Sequence, residues 1–266
     1  MMSYETHERL LTVDSLNLQY GDKIILRDIN LHVDDIIRPG LQQGQVVALL
    51  GLSGSGKTQL FRCISGMQKP TSGQVRINDH KTPVHAGEVG VVQQAYPLLQ
   101  HRTVWSNLMI AADLHGRKDG KDEAEKFLDR FNLTEKKNAY PLELSGGQRQ
   151  RIAIIQQLLC SNYFLLMDEP FSGLDLVAKQ RVMDTIRTVS TANELNTVIF
   201  TTHDLESAVM LADTIWVLGS EKDKPGATVI KQIDLAAMGL AWAPDIEHDP
   251  LYWPTVLELR NTFMSL

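Results

Sequence analysis

Residues 51–58 read Gly-Leu-Ser-Gly-Ser-Gly-Lys-Thr, types and spacings suited to holding phosphate. Gly51, Gly54 and Gly56 admit backbone conformations closed to residues with a Cβ, so successive N–H groups can turn into one concavity. Ser53 and Ser55 lie in the same loop and belong to the binding set. Lys57 adds a point charge for the β- and γ-phosphates, and the Thr58 hydroxyl can ligate Mg2+. A glycine-rich turn with a chance lysine would not need this spacing with these flanks.

Two carboxylates supply what phosphoryl transfer to water needs next. Residues 164–167 are an apolar run ending in Asp168 and Glu169. Side chains alternate faces along a strand, so adjacent acids at its end serve different tasks. Asp168 can hold Mg2+ through water, and Glu169 can polarise an attacking water. An ordinary Asp-Glu pair is the plainer reading, and it loses ground beside a phosphate cradle. His203 follows another apolar run on the same rim, where ligands of open α/β sheets bind, and can meet a γ-phosphate. A lone histidine is otherwise structural or solvated. Tyr20 can stack on adenine, and a surface tyrosine in a hairpin turn is the competing reading. If it stacks, the ring face matters and the hydroxyl is dispensable.

These groups need elements to place them. Residues 46–50 have the length and apolarity of a buried strand. Residues 58–64 are apolar at helical spacing, so a helix N-terminus faces the phosphates. Residues 10–20 and 24–33 alternate apolar and polar types around a turn, which predicts an antiparallel hairpin. Residues 34–44 hold two acids, Pro39 and two glycines and read as a surface loop. Short strands are expected at 74–78 and 88–93, and helices at 104–114, 122–131 and 146–160. Strand and helix then alternate through 163–167, 176–191, 197–201, 205–212 and 214–218. A last strand at 226–235 and a short helix at 251–264 follow. The alternation implies a parallel sheet covered on both faces, with the helical block inserted between strands.

The 266 residues allow one large or two small domains, and 43% hydrophobic residues supply a sizeable core. A net charge of −6 argues against a dedicated nucleic-acid binder. No apolar run approaches the roughly eighteen residues of a membrane span, and the first residues lack the pattern of a signal peptide. Cys63 and Cys160 fall in apolar helical patterns and read as buried free thiols of a cytosolic protein. No Cys/His cluster has metal-ligand spacing, and no repeat of about 20–50 residues marks a solenoid or propeller.

Residues 144–148 read Leu-Ser-Gly-Gly-Gln. With this run beside the phosphate loop, the chain resembles the nucleotide-binding subunits of ATP-binding cassette (ABC) transporters over about residues 11–220. The resemblance implies a P-loop NTPase core of α/β class: a mostly parallel sheet, an N-terminal antiparallel β region and an inserted helical subdomain. It places an ATPase domain at 1–235, with the insertion at about 95–162, and a C-terminal extension at 236–266 packed on the same domain. Residues 51–58 match the Walker A loop, 164–168 the Walker B strand and Glu169 the catalytic glutamate. Ser145, Gly146, Gly147 and Gln148 match the signature that contacts ATP held by a partner subunit. Residues 172–175 match the dimer-contact loop, His203 the switch histidine and Tyr20 the adenine-stacking aromatic. Gln94 lies nine residues before Thr103 and so takes the place of the family's catalytic and Mg2+-binding glutamine.

The cofactors so implied are ATP and Mg2+. The implied partners are a second copy in an ATP-sandwich dimer and an integral membrane permease, with room for a solute-binding protein and no nucleic acid. Hydrolysis would power solute transport through the separate permease, from the inner face of the cell membrane. Pro225-Gly226, Asp249-Pro250-Leu251 and residues 257–260 resemble nitrate, sulfonate and taurine importers more narrowly. A soluble iron–sulfur assembly ATPase, or an export or lipid-trafficking ATPase, is the alternative. Three features depart from the family pattern: Gln59 after the loop hydroxyl, Gln93 in place of an aromatic, and the long 34–44 segment.

Overall fold

The computed structural model describes residues 5–37, 43–78, 82–93, 96–114, 116, 119–161, 163–243 and 245–266. The alternating N-terminal residues form the hairpin β1 (Glu5–Tyr20) and β2 (Lys23–Ile37), antiparallel and turning at Gly21, whose φ is 56°. The elements β3 (Gln45–Gly51), α1 (Lys57–Ile64), β4 (Ser72–Ile77) and β5 (Gly90–Val92) follow. Three helices come next: α2 (Val104–Leu114), α3 (Gly120–Arg130) and α4 (Gly146–Leu159). The chain continues through β6 (Phe164–Met167), α5 (Leu176–Ser190), β7 (Thr197–Thr202), α6 (Leu205–Leu211) and β8 (Thr214–Ser220). It ends with β9 (Ala227–Asp234) and α7 (Tyr252–Met264).

One mixed sheet runs β4-β1-β2-β9-β8-β3-β7-β6-β5. Neighbours from β8 through β3, β7 and β6 to β5 are parallel, and β9 is antiparallel to β8. The hairpin, with β4 along β1, joins this half through a single parallel bridge, Leu26 to Ala227. Side chains alternate along the central strands, so each strand feeds two cores. Val46, Ala48, Leu50, Leu165, Val198 and Phe200 face a core completed by α2–α6. Val47, Leu49, Leu166 and Ile199 face another, closed by α1 and the hairpin. All are essentially inaccessible, and each such side chain contributes roughly 1.5–3 kcal/mol of burial. Helices α2, α3 and α4 lie between β5 and β6, which are parallel neighbours. At the other end of the chain, α7 buries Tyr252, Val256 and Leu259 in the first of these cores.

Two expectations change. Residues 34–37, read as loop, continue β2. Ile36 pairs with Thr6, Arg9 Nε donates to Asp34 Oδ1 at 3.0 Å, and Gln45 Nε2 donates to Asp35 Oδ1 at 2.9 Å. The two acids have side-chain partners on β1 and β3, so a strand satisfies them where polarity alone suggested a loop. Residues 38–42 of the expected loop lie outside the described residues. Gly44 beyond them is sterically fixed, since a Cβ there would come within 1.8 Å of the Asn196 carbonyl oxygen. Cys63 is buried, and burial pushes its thiol up to about 12. Cys160 is only half-buried, because it stands at the C-cap of α4 instead of inside the helix.

Candidate functional site

The parallel strands β3, β6 and β7 end on one rim, which carries the phosphate loop, Asp168, Glu169 and His203. The loop after β3 turns through left-handed Gly54 and Gly56, with φ of 83° and 91°. A side chain at Gly51 would set its Cβ 2.5 Å from Ser55 Oγ and 2.8 Å from the Leu218 carbonyl oxygen. That crowding is why the sequence has glycine there. Helix α1 starts at Lys57, which aims its first-turn N–H groups and Thr58 at the concavity. The resulting cavity, about 450 Å3, is lined by Ser53, Gly54, Lys57, Thr58, Asp168 and Glu169, among others. Ser55 Oγ is buried with no hydrogen-bond partner among the described residues, the kind of orphan atom a ligand site leaves.

Lys57 is nearly enclosed. Its ammonium donates to the Gly51 carbonyl at 2.7 Å and the Leu52 carbonyl at 3.2 Å, and lies 3.6 Å from Glu169 Oε1. The other oxygen of Glu169 lies 3.0 Å from His203 Nδ1. One carboxylate thus stands between a fixed cation and a histidine. Glu169 has a φ of 46°, a left-handed strain of order 1–3 kcal/mol for a residue with a Cβ. Its N–H donates to Thr201 Oγ1 at 2.9 Å, which helps hold that conformation. The Thr201 hydroxyl in turn donates to Asp168 Oδ1 at 2.6 Å.

Thr201 therefore orients both acids, and the sequence reading assigned it no role. It is fully buried in β7 after the apolar Val198, Ile199 and Phe200. The available signal was a hydroxyl at a strand position where a hydrocarbon would pack as well.

Asp204, next to His203, fixes the start of α6. It accepts from the Ser207 N–H at 3.2 Å and from Lys179 Nζ at 2.5 Å. Burial pushes its carboxyl up, but the Lys179 ammonium and the Ser207 hydrogen bonds outweigh this and hold it below the ordinary carboxylate range. Stability from this group is present above the unfolded-state value and lost as pH falls through the lower folded value. Asp204→Ala should cost about 1 kcal/mol in urea denaturation at pH 7, the usual size of a lost N-cap. Its deficit against wild type should shrink as pH falls below about 4. Equal stability at pH 7 would rule out this anchoring of α6.

The signature residues stand elsewhere. Ser145 caps α4 reciprocally with Gln148: the Gln148 N–H donates to Ser145 Oγ at 3.3 Å, and the Ser145 N–H donates to Gln148 Oε1 at 2.9 Å. Gly146 and Gly147 are exposed, and a Cβ on either would meet nothing within 4 Å. Their first-turn N–H groups have no intrahelical acceptor and can bind an anion. None of Ser145, Gly146, Gly147 and Gln148 lines the cradle cavity. The structure thus groups the phosphate loop with Asp168, Glu169 and His203, and leaves the signature outside. Tyr20 joins the cradle only indirectly, through a hydrogen bond to Gln59, which lines the cavity. Gln94 lies outside the described residues. Chemically, the grouped residues can hold a polyphosphate and aim a carboxylate at its end.

The pattern of the ABC transporter family matches residues 35–172, just over half of the chain. A sulfate/thiosulfate import ATP-binding protein of Synechocystis is 36% identical over 217 residues, which are 80% of this chain and 59% of that relative. The chain thus spans less than two thirds of that relative's length. A nitrate import ATP-binding protein of the same organism is 35% identical over 221 residues, 82% of this chain and 78% of the relative. Among solved structures, a dimeric ATP-binding cassette in a post-hydrolysis state, bound to ADP and Pi, superposes with a TM-score of 0.63 at 25% identity. That match covers 85% of this chain and 99% of the other.

Proposed function

The chain belongs to the ABC transporter family as an ATP-binding ATPase subunit, and on that premise we propose that it powers solute import through a separate membrane permease. The observation that carries the chemistry is Glu169, held between Lys57 and His203 at the mouth of the phosphate cradle. Lys57 and the loop N–H groups hold the β- and γ-phosphates, and Ser53 adds a hydroxyl that lines the same cradle; in our reading Ser55, whose hydroxyl is buried beneath the loop, belongs to the same binding set. Glu169 orients the attacking water and takes its proton, while His203 fixes the carboxylate and faces the γ-phosphate. Thr58 and Asp168 offer hard oxygen donors at the cavity, the set that Mg2+ prefers, and there the ion would neutralise phosphate charge. Gln94 completes this set in our reading. Tyr20 stacks on adenine.

The names of the sulfate and nitrate relatives support import. The solute is chosen by other subunits in this reading, since the cavity around Lys57 is built for a polyphosphate. Among the described residues no helix is long and apolar enough to cross a membrane. The names of the import relatives are the support for placing the chain on the inner face through its permease.

We place the permease contact beside Gln94 and residues 96–102, where the chain enters the helical insertion. Leu98 is buried, but Leu99 and His101 are exposed there. Leu99→Cys and His101→Cys should crosslink to a polytopic membrane protein in membranes from the native cell. Crosslinks formed only from cysteines placed in α7 would move the docking face. Recovery of the chain solely in a soluble assembly complex would favour the non-transport ATPase reading.

A further inference from the structure

We propose that Gln59 and Gln68 are positioning residues that hold the Tyr20 ring for the nucleotide base, so that the tyrosine hydroxyl contributes to ATP affinity. This rests on the reading that Tyr20 stacks on adenine. It reverses the expectation that the hydroxyl is dispensable.

Tyr20 stands at the tip of the β1–β2 hairpin and is 46% exposed. A ring so open is not wedged by packing, so its direction must come from elsewhere. Its hydroxyl donates to Gln59 Oε1 at 3.0 Å, and Gln68 Oε1 stands 3.3 Å away as a second acceptor. Gln59 lies in the first turn of α1, directly after Thr58, and lines the phosphate cavity. Gln68 follows the end of α1, and its amide is oriented because Nε2 donates to the Lys69 carbonyl at 2.9 Å. Both acceptors are half-buried, hence more confined than the ring they hold. The hairpin tip is fixed to the same region, where the Gln19 N–H donates to Thr71 Oγ1 at 2.9 Å.

The consequence is geometric. The helix that presents Lys57 and Thr58 to the phosphates also sets the ring that meets the base. A base arriving with its phosphates in the cradle finds the ring already placed, and binding avoids the cost of ordering a mobile side chain. Without the two acceptors the ring keeps its face but samples other rotamers.

The test is calorimetric titration of the full chain with Mg-ATP and, separately, with inorganic tripolyphosphate, which has no base. Tyr20→Ala should weaken ATP binding about tenfold or more. Tyr20→Phe, and the double variant Gln59→Ala/Gln68→Ala, should each weaken it roughly two- to tenfold, the size of one side chain's ordering cost. Combining Tyr20→Phe with the double variant should add nothing further, because both remove the same hydrogen bonds. Tripolyphosphate should bind all of them alike. Unchanged ATP affinity in Tyr20→Ala would remove the stacking reading itself. A loss in Tyr20→Ala with none in Tyr20→Phe or the glutamine variant would keep stacking and overturn the positioning. Parallel losses for ATP and tripolyphosphate would also overturn it, since the glutamines would then be shaping the cradle.

Discussion

Glu169→Gln should bind ATP as the wild type does and hydrolyse it at least about a hundredfold more slowly, the range of a lost general base. In free-energy terms the barrier rises by about 2.7 kcal/mol or more. The amide keeps the shape of the side chain and its reach toward His203 Nδ1, 3.0 Å away, but it cannot accept the proton of water. Binding should survive because the phosphates are held by Lys57 and the loop, not by Glu169. The exchange also removes a negative charge 3.6 Å from the Lys57 ammonium, which if anything frees that cation for the γ-phosphate. Phosphate release and equilibrium ATP titration on the same preparation check the two halves separately. Near-normal release would take Glu169 out of the mechanism. A collapse of ATP binding would mean that the carboxylate builds the cradle.

The phosphate cradle was legible in the sequence because its requirements are local. Glycines at fixed offsets, a lysine and a hydroxyl, with an apolar strand before and a helix after, leave few alternatives. The central strands were legible for a related reason, as apolar runs bounded by polar rims. Thr201 was not legible. Its role depends on β6 and β7 lying side by side, and a single threonine in a strand carries no mark of its neighbour. The acids at 34 and 35 misled in the opposite sense: their partners Arg9 and Gln45 are close in space but distant or unremarkable in sequence. The link from Tyr20 to Gln59 is of the same kind, since it spans 39 residues and appears only when the hairpin folds onto α1. Local chemistry could be read from the chain, and pairwise orientation needed the fold.

The separation of Ser145 from the cradle leads to the second large effect. Ser145 and the N–H groups of Gly146 and Gly147 open onto solvent at the start of α4, and none of them lines the cavity around Lys57. A helix start with free donors is an anion site without an anion of its own chain. In a two-fold dimer each chain can give its cradle to one ATP and its signature to the other. Lys57→Ala alone, or Ser145→Arg alone, should then abolish ATP-locked dimers, because in either homodimer both sites carry a defect. Mixing the two variants, each also carrying Glu169→Gln to stop turnover, creates a dimer with both defects in one site and neither in the other. Gel filtration of the mixture with radiolabelled ATP should recover a dimer that traps one nucleotide. Ser145→Arg also removes the α4 cap, at a cost of about 1 kcal/mol. That loss is harmless in the mixed dimer, because the arginine chain gives only its cradle to the intact site. If mixed dimers form and trap nothing, shared sites fail unless occupancy of both is obligatory. Stable trapping by the Ser145→Arg chain as a monomer would decide for a site complete within one chain.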